Sequence, residues 1–476
     1  MVYEQLKIGI IGAGIAGLRA ARHFQQLGID YVIFEGSNRI GGRIFPFEYS
    51  NGYSSGYLQH GAEYVNGLDN EVYQMAKKFD LFDKFEPRTP DLWMLSQETC
   101  ITVVDGKPVA KTTLKIFHDF VRNLNEKLSE EAEEIHSMNK TISVEHRIDF
   151  HFSNFLNQIP NEDHDLFRKL IRIYKNFFQT EWSSPIGELS LSNLFIWNDG
   201  TDLEDSAVLN EYGFQTILEE YTSRIPSENI RLSSRVLNVQ ILDGCSATSN
   251  GSEKNVKFRL ENGEIHYFDA CIVTSSLGFL KAHHSKLFTP ELPICKREAI
   301  QNMGFGNNLK VFLEYRQPWW IESTSTIMIV SENENLDFMV FQPSSWAENI
   351  LVCWIAGSGP ARIAKLTDSE LKIVLDEHLN TQMSKICNVA KSEKIFRKDW
   401  ITDEFSLGSY SYLTPGEQDD KDIRILGEPI LKEDRRHRWP VICFAGEHTD
   451  PLMYQTTVGA ARSGLREAIR IANNFC

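Results

Sequence analysis

The sequence has no apolar run approaching the roughly 18 residues a helix needs to cross a bilayer, so no membrane span is expected. It also lacks a CxxC pair. Its eight cysteines (Cys100, Cys245, Cys271, Cys295, Cys353, Cys387, Cys443 and Cys476) lie far apart, which argues against a zinc site or a dense disulfide framework. No metal is expected, and reduced thiols in a cytoplasmic protein are. Met1–Lys7 runs into the short apolar stretch Ile8–Ile11 without the basic region, longer apolar core and cleavage site of a secretion signal. The ending Asn-Asn-Phe-Cys matches neither a peroxisomal tripeptide nor a prenylation box. Positive charge is in short supply: 49 Lys and Arg stand against 65 Asp and Glu, a net charge of −16. That excess argues against nucleic acid as a partner, and it suits both a cationic substrate and plain solubility. There is no internal repeat and no long low-complexity linker.

What is present is ordinary globular composition, 42% hydrophobic and 24% charged, in a chain of 476 residues. That length is too great for one simple core, so two large domains are expected. Lys7–Gly12 reads as a buried strand, Leu18–Leu27 as a helix and Tyr31–Glu35 as a second strand, a β-α-β unit of a parallel sheet. Residues 71–84 and 111–135 read as helices, and Asp243–Asn255 as a polar loop. Arg231–Leu242, Val256–Leu260 and Ile265–Ala270 alternate like strands, with a hairpin turn at Glu261–Glu264. Strand-like runs at Leu309–Tyr315, Thr326–Ile329, Phe338–Phe341 and Ile350–Ile355 point to a second, more antiparallel sheet. Val441–Phe444 and Thr457–Ala472 read as a last buried strand and a last helix.

Between the first strand and helix, Gly12-Ala13-Gly14-Ile15-Ala16-Gly17 has the GxGxxG form. Gly12 permits a tight turn, Gly14 lets backbone approach a pyrophosphate, and Gly17 lets helix and strand pack closely. The helix N-terminus, where Ala16 lies, offers free N–H groups and a positive dipole end to phosphates. Glu35 ends the second strand at about the spacing of an acid that binds ribose hydroxyls. Together these features indicate a dinucleotide without separating NAD from FAD. Arg39-Ile40-Gly41-Gly42-Arg43 follows, placing Gly42 and Arg43 where a guanidinium would suit phosphate oxygens; taken alone it would read as a solvated basic turn. Near the other end, Phe444-Ala445-Gly446-Glu447 closes a strand. Thr456 and Thr457 then open a helix rich in small residues, against whose N-terminus a flat ring could sit.

IGAGIAG, then E-x3-RIGGR, then FAGEHT and TTVGAARSG, resembles the flavin-containing amine oxidase superfamily. GAEYVNG (61–67), LFTPELPICKREAIQNMGFGNNLKVFLEY (287–315) and WITDEFSLGSYSY (400–412) are similar to its polyamine oxidase and spermine oxidase branch. The resemblance runs from about residue 5 to 470, weakly through 85–180. It implies an α/β fold: a Rossmann-like FAD-binding domain (1–84, 212–297 and 403–476) interleaved with an α+β substrate domain (85–211 and 298–402) on a mixed, antiparallel sheet. It also implies FAD-dependent oxidation of a polyamine by hydride transfer to flavin N5, with imine hydrolysis and reduction of O2 to hydrogen peroxide.

By the same resemblance, Val236 would hold the adenine through its backbone. Gly61, Ala62, Tyr64, Val65 and Trp400 would line the flavin, with Gly446 and Glu447 completing the site. Ser37 stands where many members carry arginine. Ser409 stands where monoamine oxidases carry the cysteine bonded to the flavin, so non-covalent FAD is expected. Lys310, alone in an apolar strand, would by itself read as a charge blunting a sheet edge; the match of Gly-Asn-Asn-Leu-Lys makes it the catalytic candidate that holds a water, its pKa depressed by burial. Tyr410, Tyr454 and Thr456 would stand around the substrate above the flavin, and Asn308 would contact its nitrogens. Glu188 and Ser190 resemble an acid and hydroxyl along the spermine oxidase tunnel, with a surface acid and a helix cap equally open. Asn66 stands where polyamine oxidases usually carry histidine or glutamate, and it cannot titrate; His60, six residues earlier, reads as structural. An oxidase of another amine, and a flavoprotein acting through a partner, stay open. A chromatin-directed member is disfavoured by the lack of a basic patch and of room for an added domain or inserted helical pair.

Overall fold

The computed structural model describes residues 6–83, 99–138, 140–197, 206–242, 254–332, 338–416, 420–433 and 438–475. The isoleucine-rich strand Lys7–Ile11 is the buried centre of a six-stranded sheet. On one side it pairs in parallel with Asp30–Phe34, beyond which lies Ile230–Arg231. On the other it pairs with Ala270–Val273, then Arg438–Phe444, both parallel, and Ile430–Glu433 closes that edge antiparallel. The helices Ile15–Leu27 and Thr457–Asn474 pack against each other beside this sheet. The expected strand-helix-strand start and strand-helix finish therefore meet in one layer, although they lie more than 400 residues apart in sequence.

A seven-stranded mixed sheet runs Lys394–Arg397, Asn308–Glu314, Ile350–Ala356, Val340–Pro343, Thr326–Val330, Cys100–Val104, Lys107–Pro108. Its pairs are antiparallel except Thr326–Val330 with Cys100–Val104. The amphipathic helix His164–Trp182 packs on it, flanked by Lys111–Ser137 and Val144–Leu156. Of these three helices, only Lys111–Ser137 is expected from the sequence, over 111–135.

The run read as one strand, Arg231–Leu242, divides. Ile230–Arg231 stays in the six-stranded sheet, whereas Val236–Ile241 joins a four-stranded one with Val256–Leu260, Ile265–Phe268 and Phe288–Thr289. The break is a turn at Ser233 (φ 49°), anchored where the Ser233 and Ser234 N–H groups donate to the Ser37 and Glu35 carbonyls, both at 2.7 Å. The helix expected over 71–84 is Glu71–Lys78, stopped before Asp80, whose φ is positive. Most of the polar loop 243–255, Cys245, Cys476 and the expected domain boundary at 84/85 lie outside the described residues. No helix among the described residues is long and apolar enough to cross a membrane.

Candidate active site

A cavity of about 930 Å³ connects the first sheet to the second, within the range of ligand clefts. One end is made largely of backbone. Gly12 turns at φ 102° and donates its N–H to the Phe34 carbonyl (2.8 Å). A Cβ on Gly17 would overlap the Gly12 carbonyl oxygen, so loop and helix pack directly on each other. Gly14 caps the helix without a side-chain bond, and the first turn carries no acid. The N-terminus of this helix borders the cavity, as does that of the last helix, where Thr456 caps the Gly459 N–H (2.9 Å to Oγ1) and the first turn likewise carries no acid. The buried Thr457 Oγ1 borders the same space and has no protein partner. Two helix N-termini, a glycine cradle and an orphaned hydroxyl fit a ligand with phosphates and a polar ring edge.

Side chains lock this end together. Glu35 accepts the Ala13 N–H (2.7 Å) and the Ser37 N–H (2.8 Å), holding the glycine loop while bordering the cavity. Arg39, which sequence reasoning passed over, folds the RIGGR loop by donating to the Ile40, Gly42 and Ile44 carbonyls. That loop then docks through the Gly41 N–H on the Ala13 carbonyl (2.8 Å), bringing Gly42 to the cavity wall. Arg43 Nη1 donates to Glu447 Oε1 (2.8 Å) and the Ser409 carbonyl (2.6 Å). Glu447 in turn accepts the Ser411 hydroxyl (2.6 Å) and the Gln455 N–H (3.0 Å). Burial pushes the Glu447 carboxyl upward, but the Arg43 and His448 charges and these hydrogen bonds outweigh it and hold it below the usual carboxylate range. Gly61, Ala62, Tyr64, Val236, Trp400, Gly446 and Ala16 also border the cavity. Val65 does not: strand alternation across Tyr64–Asn66 turns it into the core behind.

The other end is made of side chains from distant segments. Lys310 lies in an interior strand, paired with Trp354 across the sheet, so an edge-blunting role is ruled out. It is 5% exposed, and Nζ donates to Glu63 Oε2 at 2.9 Å and stands 5.1 Å from the centre of the Trp354 ring. Burial lowers its pKa, as expected, with Glu63 acting in opposition. Asn308 Nδ2 donates to the Tyr410 hydroxyl (3.0 Å) and the Thr180 carbonyl (2.9 Å), and the Tyr410 hydroxyl donates to that carbonyl (2.7 Å). Asn66 borders the cavity with Nδ2 on the Ser206 hydroxyl (2.9 Å). Phe177, Phe178, Trp182, Leu194 and Trp197 wall the far arm. Glu181 is accessible where it opens into the arm, and the protein packed around it pushes its carboxyl upward.

Three expected substrate contacts are not brought here. Glu188 accepts the Tyr412 hydroxyl (2.9 Å) away from the cavity. Ser190 is buried, its N–H on the Leu413 carbonyl. Tyr454 lies behind the wall, its hydroxyl on Asn193 Oδ1 (2.7 Å) and its ring supporting Trp197 edge-on. Glu181 carries no expectation from the sequence, and Glu63 lies in the stretch 61–65 expected to line the flavin but without its role as the partner of Lys310. Both had signals: Glu63 stands inside GAEYVNG, and Phe177, Phe178, Glu181 and Trp182 recur at one-face helical spacing. Among the described residues, no group of three or more His, Cys, Asp or Glu is placed to hold a metal.

A family model described as flavin containing amine oxidoreductase matches residues 15–472. The chain is similar to a probable polyamine oxidase 5 of Arabidopsis thaliana, 24% identical over 567 residues and covering 99% of each chain. It is 25% identical to the human peroxisomal N(1)-acetyl-spermine/spermidine oxidase over 507 residues, covering 98% of this chain and 94% of the relative. It is also 25% identical to lysine-specific histone demethylase 1 homolog 3 of Arabidopsis thaliana, over 99% of this chain but 30% of that one. With the glycine cradle and paired helix ends suited to a flavin, the chain belongs to the flavin-containing amine oxidoreductase family.

Proposed function

We propose that the protein oxidises polyamines (spermine, spermidine or their N-acetylated forms) with non-covalently held FAD. The observation that carries this reading is the far arm of the cavity. There Glu181 borders the cavity together with Phe177, Phe178, Trp182 and Trp197, so that one carboxylate stands among aromatic surface. A polyamine alternates cationic nitrogens with methylene runs, and such an arm complements both. The names of the polyamine-oxidising relatives agree with it.

In this reading Gly12, Gly14 and the N-terminus of the first helix would hold the pyrophosphate, the N-terminus of the last helix would meet the flavin ring edge, Glu35 would meet the ribose, and Arg43 and Glu447 brace the walls. Ser409 is tied to the Asn308 backbone, and among the described residues no cysteine borders the cavity, in keeping with non-covalent binding. The flavin, when bound, accepts a hydride from the carbon beside an amine nitrogen and passes the electrons to O2 as hydrogen peroxide. The aromatic walls exclude water and align the methylene chain, while Glu181 holds a remote ammonium and sets register. The knot of Asn308, Tyr410 and the Thr180 carbonyl fixes the near wall, and Lys310 holds its proton at Nζ beside the reacting nitrogen. The imine product hydrolyses to an aldehyde and an amine.

Mixing the yellow protein anaerobically with spermine, spermidine, N-acetylated polyamines and benzylamine tests the proposal. Bleaching of the flavin absorbance by polyamines supports it, bleaching by benzylamine alone replaces the substrate, and bleaching by none of them removes the oxidase reading. Acid denaturation should release the colour into the supernatant; colour that stays with the precipitate would refute non-covalent binding.

A further inference from the structure

Glu63 stands where chain geometry leaves it little freedom. On its N-terminal side the Ala62 N–H is bound to the Arg43 carbonyl (3.3 Å), and a Cβ on Gly61 would overlap that same carbonyl. On its C-terminal side Tyr64–Asn66 pairs with Ser206–Val208, and the Leu209 N–H donates to Glu63's own carbonyl (3.3 Å). Lys310 is equally constrained, in an interior strand in register with Trp354. Two rigid segments, 247 residues apart in sequence, thus present a carboxylate and an ammonium to each other at 2.9 Å, at the wall of the cavity.

We propose that Glu63 is a positioning residue for Lys310, fixing its Nζ beside the amine end of the cavity and keeping it protonated. This rests on the amine-oxidase reading for its purpose, but the ion pair is a property of the chain itself. The charged and titratable groups acting on Lys310 are Glu63, by contact, and His60. His60 carries no charge to compete: burial foremost, with Lys310 and Lys398, pushes it down to about 3, and it packs among Phe45, Phe47 and Phe312. The Trp354 face favours the cation as well. Against these stands the desolvation of a lysine with almost no exposure, which favours the neutral amine. Glu63 is the counterweight. An ammonium has three N–H donors and no acceptor, so a Lys310 held this way donates hydrogen bonds and cannot accept a proton.

Titration of Lys310 in the flavin-loaded protein tests this without any substrate. Protein carrying [ε-13C]lysine is followed by NMR against pH, with the Lys310 resonance assigned by its loss in Lys310→Met. Glu63→Gln should lower the midpoint by at least about one unit. Glu63→Asp keeps the charge at a greater distance and should fall between the two, so that it provides the test even where the glutamine variant folds poorly. The pH profile of amine-driven flavin bleaching should move with the NMR midpoint in each variant. A midpoint unchanged or raised in Glu63→Gln, or a variant that alters KM while its profile stays in place, overturns the proposal. If polyamines fail to bleach the flavin but the midpoints shift as stated, the substrate reading falls and the Glu63 assignment stands.

Discussion

The two ends of the cavity are built on different principles. At the glycine end the working groups are backbone N–H groups and helix termini, placed by turns a few residues long. At the lysine end they are side chains from segments near residues 63, 181, 197, 308 and 410, which meet only because two sheets and a helix layer pack together. The first end depends on the absence of bulk at Gly12 and Gly17 and on the side chains that brace the loops around them. The second tolerates modest changes of bulk but depends on which charge faces which. Substitutions at the two ends should therefore fail in different ways.

The largest effect is expected from Gly17→Val, because its branched side chain has no room beside the Gly12 carbonyl. Purified protein should carry less than about a tenth of the wild-type flavin, read from the ratio of flavin to protein absorbance. Full retention of colour would break the contrast between the two ends. Lys310→Met should do the opposite, keeping the flavin while slowing its reduction or reoxidation by more than about tenfold in stopped flow. Normal rapid kinetics would remove Lys310 from the chemistry.

Glu181→Gln should act on substrate binding, raising the KM for spermine by roughly fivefold with kcat little changed. The sign of its pH dependence follows from a carboxyl raised above its ordinary range toward neutral pH by the protein around it. It is charged above its pKa and neutral below, so the wild-type KM should climb as pH falls from neutral through that raised pKa, and the glutamine variant should lack that component. A KM profile identical in both proteins would show that Glu181 does not meet the substrate. The smallest effects belong to residues outside the cavity. Tyr454→Phe removes one buried hydrogen bond to Asn193 and should cost about 1 kcal/mol in thermal or denaturant unfolding, with KM unmoved. Glu188→Gln should leave KM unmoved too; a large change in either would mean that the tunnel runs elsewhere.

The legibility of the site divides along the same line. Gly12, Gly14, Glu35, Arg43 and Thr456 could be placed because each acts through a local pattern: strand then turn, turn then helix, cap then helix. Arg43 was expected to face phosphate, and only the fold brought Glu447 and the Ser409 carbonyl to its Nη1. Glu188 and Ser190 sit on a matching motif, yet the short helix Ile186–Glu188 turns them toward Tyr412 and the core. Glu181, seven residues earlier, ends a helix whose register aims it into the cavity. A motif carries residue types faithfully, but a shift of two helical turns changes which of them reaches the ligand.

Read alone, the sequence already carried the parallel β-α-β start, the glycine loop that follows its first strand, the strands of the second sheet and the isolated lysine within one of them. Those follow from local periodicity and from glycine at Gly12 and Gly17, where a side chain would collide. Only the tertiary structure decided that Lys310 lies in an interior strand, that Glu63 faces it, and that Tyr454 stands behind the wall rather than in it. Burial and charge pairing are properties of segments hundreds of residues apart, and until those segments pack nothing in the local chain states which group will be desolvated or beside what.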